Sequence, residues 1–85
     1  MKSTRQVVLD FFARHGKSPL PGGDAALDVR YLDTGIIDSL GIVTLIAELE
    51  TELNIQFTAE DMQSYEFPSV GGLIGILDRL IGANA

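Results

Sequence analysis

Apolar residues recur at helical spacing in three stretches of the chain. Val7, Val8, Phe11 and Phe12 form the first, with Ser3 and Gln6 at capping-box spacing ahead of them and Gly16 behind. In the second, Asp38 is placed to cap a helix that runs to about Leu53, and Asn54 is placed to end it. The third starts at the cap residue Ser69 and carries Val70, Leu73, Ile74, Leu77, Leu80 and Ile81 on one stripe as far as Gly82. Thr58 and Asp61 repeat the cap spacing and predict a short helix through about Tyr65, which lends Met62 and Tyr65 to the core before Phe67 and Pro68 close it.

From Lys17 to Ile37 the periodicity breaks around Pro19, Pro21, Gly22, Gly23 and Gly35. Leu20, Leu27, Val29, Tyr31, Leu32, Ile36 and Ile37 are spread through this segment, so it is expected to pack on the helices as an ordered loop. Alternating apolar and polar residues occur only in fragments, and nothing reads as a strand. The expected fold is all-α: a four-helix bundle of three longer helices and one short one, with a long loop between helices one and two. Residues 1–85 are expected to form a single domain.

The size of the chain limits what it can do. At 85 residues and 9.2 kDa, folding buries about 60 to 65% of the surface the unfolded chain exposes, which leaves little room for a deep enzyme pocket. Six Lys and Arg stand against 12 Asp and Glu, a net charge of −6 that disfavours a phosphate backbone, so nucleic acid is not an expected partner. No Lys or Arg occurs between Arg30 and Arg79, and this acidic half is suited to a basic partner. With no cysteine there is no disulfide, thiolate metal site or thiol nucleophile. Asp10 interrupts the apolar run after Lys2 and Arg5 before a secretory core can form, and the uncharged stretch 69–77 is too short to cross a bilayer. A cytoplasmic monomer that does not insert into membranes is expected.

The second helix has two apolar faces. With Leu40 at zero, Ile42, Leu45, Ile46, Leu49 and Leu53 fall at about 140° to 240°, which is the core face. Leu40, Val43 and Ala47 fall at about 0°, 300° and 340°, beside Glu50 at about 280°, and read as an outward strip suited to protein docking. Ser39 follows the cap residue Asp38 and is the first residue of this helix. The unpaired N–H groups and dipole there favour a phosphate on its hydroxyl.

The run Gly35-Ile36-Ile37-Asp38-Ser39-Leu40, with the Val43 to Leu53 helix and the Phe57, Thr58 and Ser69-Val70 landmarks, resembles the acyl carrier protein family. This family includes peptidyl and D-alanyl carriers. The resemblance implies that a phosphopantetheinyl transferase attaches 4′-phosphopantetheine, drawn from coenzyme A, to Ser39. It also implies that a ligase loads acyl or aminoacyl groups as thioesters on that arm, that a downstream transferase or synthase consumes them, and that the carrier itself is not an enzyme. Leu40, Val43, Ala47 and Glu50 match the family's partner-contact positions. The fatty-acid-synthesis type usually reads Gly-Ala-Asp-Ser-Leu-Asp; here Ile37, Gly41 and Thr44 stand at informative places, and Glu48 is the first acidic group after Ser39. The series looks more like aminoacyl, D-alanyl or specialised carriers.

Other readings are weaker. A Ser39, His15, Asp38 triad would need Asp38 both to cap the helix and to orient His15, and Ser39 is not in a Gly-x-Ser-x-Gly elbow. Neither the Glu48 and Glu52 pair nor the Glu60 and Asp61 pair has the ligand spacing of a calcium loop. The better rival is an unmodified helical adaptor that uses the Leu40, Val43 and Ala47 strip.

Overall fold

The computed structural model describes residues 3–84. The helices follow in the expected order: α1 (Thr4–His15), α2 (Ser39–Leu53), α3 (Ala59–Gln63) and α4 (Val70–Asn84). A 3-10 helix over Gly23–Asp28 lies in the α1–α2 connection, where the sequence predicts only loop. Among the described residues the one sheet-like feature is an isolated antiparallel bridge between Arg30 and Ser69. The fold is all-α, as expected.

The caps explain the boundaries. Ser3 Oγ accepts the N–H of Gln6 at 3.1 Å, but the Gln6 amide donates to Asp10 at 2.7 Å instead of turning back, so only half of that capping box forms. Around α3 the box is complete, with Thr58 Oγ1 accepting from Asp61 N at 3.1 Å and the Asp61 carboxylate accepting from Thr58 N at 3.0 Å. Ser69 Oγ accepts from Gly72 N at 3.0 Å at the head of α4. Asn54 ends α2 in the left-handed region, at φ 53°.

α1 packs on both α2 and α4, and the 3-10 helix packs on α4. Phe11, Phe12, Leu45, Leu49, Leu73 and Leu77 are almost fully buried between them. Ile76 joins this core although it lies off the expected stripe, whereas Ile74 is only partly buried. The buried arc of α4 is centred near Leu73, which brings Ile76 inside and puts Ile74, about 100° round from Leu73, on the rim. α4 also continues past Gly82 to Asn84.

Met62 and Tyr65 do not enter the core as expected; they are 40% and 84% exposed. α3 stops at Gln63 after five residues and buries none of them. Phe57 before it and Phe67 after it insert instead, edge to face with ring centroids 6.0 Å apart. Two anchors flanking so short a helix set its height above the core and leave its own side chains outside.

The long connection is ordered by packing, as expected, except that Leu32 turns outward at 37% exposure. Tyr31 N–H donates to Pro68 O at 3.0 Å and Val70 N–H to Val29 O at 2.9 Å, which docks the loop on the head of α4. The Tyr31 ring lies 5.0 Å from that of Phe12, and its hydroxyl donates to the Phe67 carbonyl. Burial pushes the phenol's pKa up, so it stays a donor. Tyr31→Phe leaves that carbonyl unpaired in the interior and should cost about 1 to 2 kcal/mol in urea unfolding. The exposed Tyr65→Phe should change stability by less than about 0.5 kcal/mol.

Candidate functional site

The head of α2 is held from below. Ile36 and Ile37 are buried, Lys17 N–H donates to Ile36 O at 2.9 Å, and Ile37 N–H donates to Tyr31 O at 3.2 Å. Gly35, at φ 75°, makes the turn that brings these two residues inward. Asp38 then caps the helix: its carboxylate accepts the Gly41 N–H at 2.9 Å and its carbonyl accepts the Ile42 N–H at 3.1 Å. Ser39 is the first helical residue and is exposed, and its hydroxyl has no hydrogen-bond partner among the described residues.

Lys17 is a feature the sequence reading misses. Its ammonium lies 3.2 Å from Asp38 Oδ2, across a gap of 21 positions that no spacing rule anticipates. The Gly41 backbone hydrogen bond, followed by Lys17, holds the Asp38 carboxyl below its usual range. An accessible hydroxyl, the positive end of a helix and a nearby ammonium together suit a phosphodiester on Ser39.

Gly41 fits against Ile37. A Cβ on Gly41 would lie 2.5 Å from Ile37 Cγ2, a branch too stiff to move away cheaply. The isoleucine before the cap and the glycine after it are therefore two halves of one packing arrangement, and both differ from the fatty-acid-synthesis pattern.

The outward strip is present: Leu40 is 79% and Val43 66% exposed, and Ala47 is also exposed. Its acidic borders are less free than the helical wheel suggests. Glu48 is clamped to α1, accepting from Arg14 at 3.1 Å and lying 3.0 Å from His15 Nε2. The Glu50 carboxylate accepts the Phe57 N–H at 2.9 Å and so braces the α2–α3 connection. With His15 on Glu48 and Asp38 on Gly41 and Lys17, no Ser-His-Asp relay is assembled. No group of three or more His, Asp or Glu among the described residues could hold a metal ion, and no helix among them is long and apolar enough to cross a membrane.

A small helical bundle that presents an exposed serine on a capped helix head, and has no catalytic relay, has the architecture of a carrier domain. The family described as "Phosphopantetheine attachment site" matches residues 18–77, and the chain belongs to it. It is 30% identical over 82 residues to D-alanyl carrier protein 1 of Lactiplantibacillus plantarum, covering 94% of this chain and 96% of that protein. It is 28% identical over 78 residues to the D-alanyl carrier protein of Streptococcus equi subsp. zooepidemicus, covering 92% and 95%. The chain is thus a non-catalytic carrier of the D-alanyl-like kind with covalently attached 4′-phosphopantetheine, and such carriers work with phosphopantetheinyl transferases and with ligases or transferases.

Two outcomes follow for the helix head. Helix propensity alone favours Gly41→Ala by up to about 1 kcal/mol. Overpacking against Ile37 costs about 1 to 3 kcal/mol, so the substitution should be destabilising overall, and a double-mutant cycle with Ile37→Ala, which removes the Cγ2 branch, should show coupling. Because the folded Asp38 pKa is lowered, its capping contribution is present above the unfolded value of about 3.9 and is lost as pH falls towards the folded value. Asp38→Asn, which keeps a capping oxygen, should flatten the acid limb of a stability-against-pH curve.

Proposed function

We propose that Ser39 is the attachment point of the phosphopantetheine arm, and that the chain holds aminoacyl or short acyl groups as thioesters for a specialised pathway. The observation that carries this reading is the exposed Ser39 hydroxyl at the capped head of α2, beside the Asp38–Lys17 pair. The arm's terminal thiol would supply the reactive atom that a cysteine-free chain lacks, and the protein would supply position and a recognisable surface. The D-alanyl names of its relatives favour an aminoacyl cargo over a fatty-acid-synthesis one. The interlocked Ile37 and Gly41 favour it too, since Ile37 stands where the fatty-acid type has alanine and Gly41 where it has an acidic residue.

Phosphopantetheinyl transferase, the loading ligase and the downstream transferase or synthase would dock on Leu40, Val43 and Ala47, with Glu50 at the edge. The protein would act as a monomer in the cytoplasm, within 1–85 as one carrier domain.

Incubation with coenzyme A and a broadly tolerant transferase should add one phosphopantetheine to the intact mass of the wild-type protein and none to Ser39→Ala. A mass gain by folded Ser39→Ala would refute the assignment. An unmodified adaptor would gain nothing in either form and would keep its partner binding in Ser39→Ala. For docking, Val43→Asp should slow the transfer about tenfold or more, whereas Glu52→Lys, a charge reversal at an exposed position on the same helix, should change it only a few-fold. Glu50→Lys would not serve as that control, because it also removes the brace on Phe57.

A further inference from the structure

The structure has a groove whose position relates it to Ser39. It runs between α1 and the following loop, has a volume of about 550 Å³, and is lined by Leu9, Phe12 and Ala13 on one side and Leu20, Pro21 and Ala26 on the other. This volume is within the range of small-ligand sites. Arg5 and Lys17 mark its two ends, and Lys17 is also the residue paired with Asp38 next to Ser39. One end of the groove therefore opens beside the proposed attachment point.

We propose that this α1–loop groove is the resting site of the carrier's own arm and its cargo, with Lys17 holding the phosphodiester at the mouth. The inference rests on Ser39 being the attachment point. A phosphodiester on Ser39 adds a negative charge next to Asp38, and Lys17 is the cation the fold already brings there. From that mouth the lengths agree. α1 rises about 15 Å from Arg5 to its last residue, His15, two positions before Lys17. The arm, extended at the rise of a peptide chain, reaches about 15 Å from phosphorus to sulfur. Tethering at the mouth raises the arm's effective concentration in the groove, so weak apolar contacts suffice to hold it.

The other openings suit the arm less well. The cavity between α1 and α2, of about 370 Å³, has Asp10, Arg14, Glu48 and Glu52 among its walls, a charged lining for an uncharged chain. Between α2 and α4, Leu45, Leu49, Leu73 and Leu77 are buried to within 1% of completely, so a guest there would have to displace core side chains.

The test uses the full chain before and after pantetheinylation, with intact mass confirming one added arm and Ser39→Ala, which should gain none, locating it. In nitrogen-15 correlation spectra the amides of Ala13, Lys17, Leu20 and Gly22 should shift in the modified protein together with those around Ser39. Shifts confined to 36–44, or spread instead over α2, α3 and α4, would overturn the groove while leaving the attachment intact. Absence of the mass gain would overturn both. Because the chain has no cysteine, the arm carries the sole thiol, and its reaction with a bulky disulfide reagent gives a second readout. Ala13→Trp fills the groove from the exposed side of α1. If the arm is docked half of the time in the wild type, that thiol should react about twofold faster in the variant. Equal rates in the two modified proteins, both folded by circular dichroism, would overturn the proposal.

Discussion

The burial of Ile36 and Ile37 is the constraint on which the head of α2 depends. Each side chain is inside the bundle, and each backbone makes a hydrogen bond to a different segment, Ile36 O to Lys17 N and Ile37 N to Tyr31 O. The next two residues then have little freedom. Asp38 must be extended to cap the helix, and Ser39 must start the helix on the exposed side. Tyr31 extends the constraint to the α3–α4 connection through the Phe67 carbonyl and to α1 through the Phe12 ring. A serine in a free loop would offer the same hydroxyl without the fixed orientation or the helix dipole. A prosthetic arm needs a root that does not wander if partner enzymes are to find its tip.

Much of this was legible in the sequence, because caps and periodicities are local signals. Asp38, Asn54, Thr58 with Asp61 and Ser69 all act where their spacing places them. The failures come where a distant group decides the outcome. Gln6 had the spacing to complete a capping box, yet Asp10, one turn on, offered its side-chain amide a competing acceptor. Met62 and Tyr65 looked like core residues because they are large and close to a helix, but Phe57 and Phe67 had already filled the space below. Lys17 and Glu48 gave no signal at all, since their partners lie 21 and 33 or more positions away. The 3-10 helix Gly23–Asp28 is too short to show periodicity.

The uneven charge of the chain takes on a different meaning in three dimensions. Read linearly, a basic first third precedes an acidic remainder, which suggested a surface awaiting a basic partner. In the fold, the end of α1 turns towards the acidic part: Arg14 and His15 meet Glu48, and Lys17 meets Asp38. These pairs are exposed and solvent screens them, so they do not hold the bundle together. Their effect is on the surface, where Lys17 partly neutralises Asp38 beside the proposed attachment point and Arg14 does the same for Glu48 further along α2.

That partial neutralisation bears on how a carrier of this kind would be recognised. A carboxylate-rich helix attracts basic partners from a distance and speeds their encounter, at the cost of sensitivity to salt. On α2 here, Glu48 and Glu50 are engaged within the molecule, and Gly41 takes the place of an acidic residue because Ile37 fills the space beside it. Leu40 and Val43 remain as exposed side chains of fixed shape on a rigid helix. Two aliphatic residues can anchor a partner through desolvation but bury too little area to hold it for long. Fast release suits a protein that must move from one enzyme to the next with its cargo. Selectivity would then come from whether a partner's pocket accepts this strip, and a partner that depends on an acidic helix would find few of its contacts here.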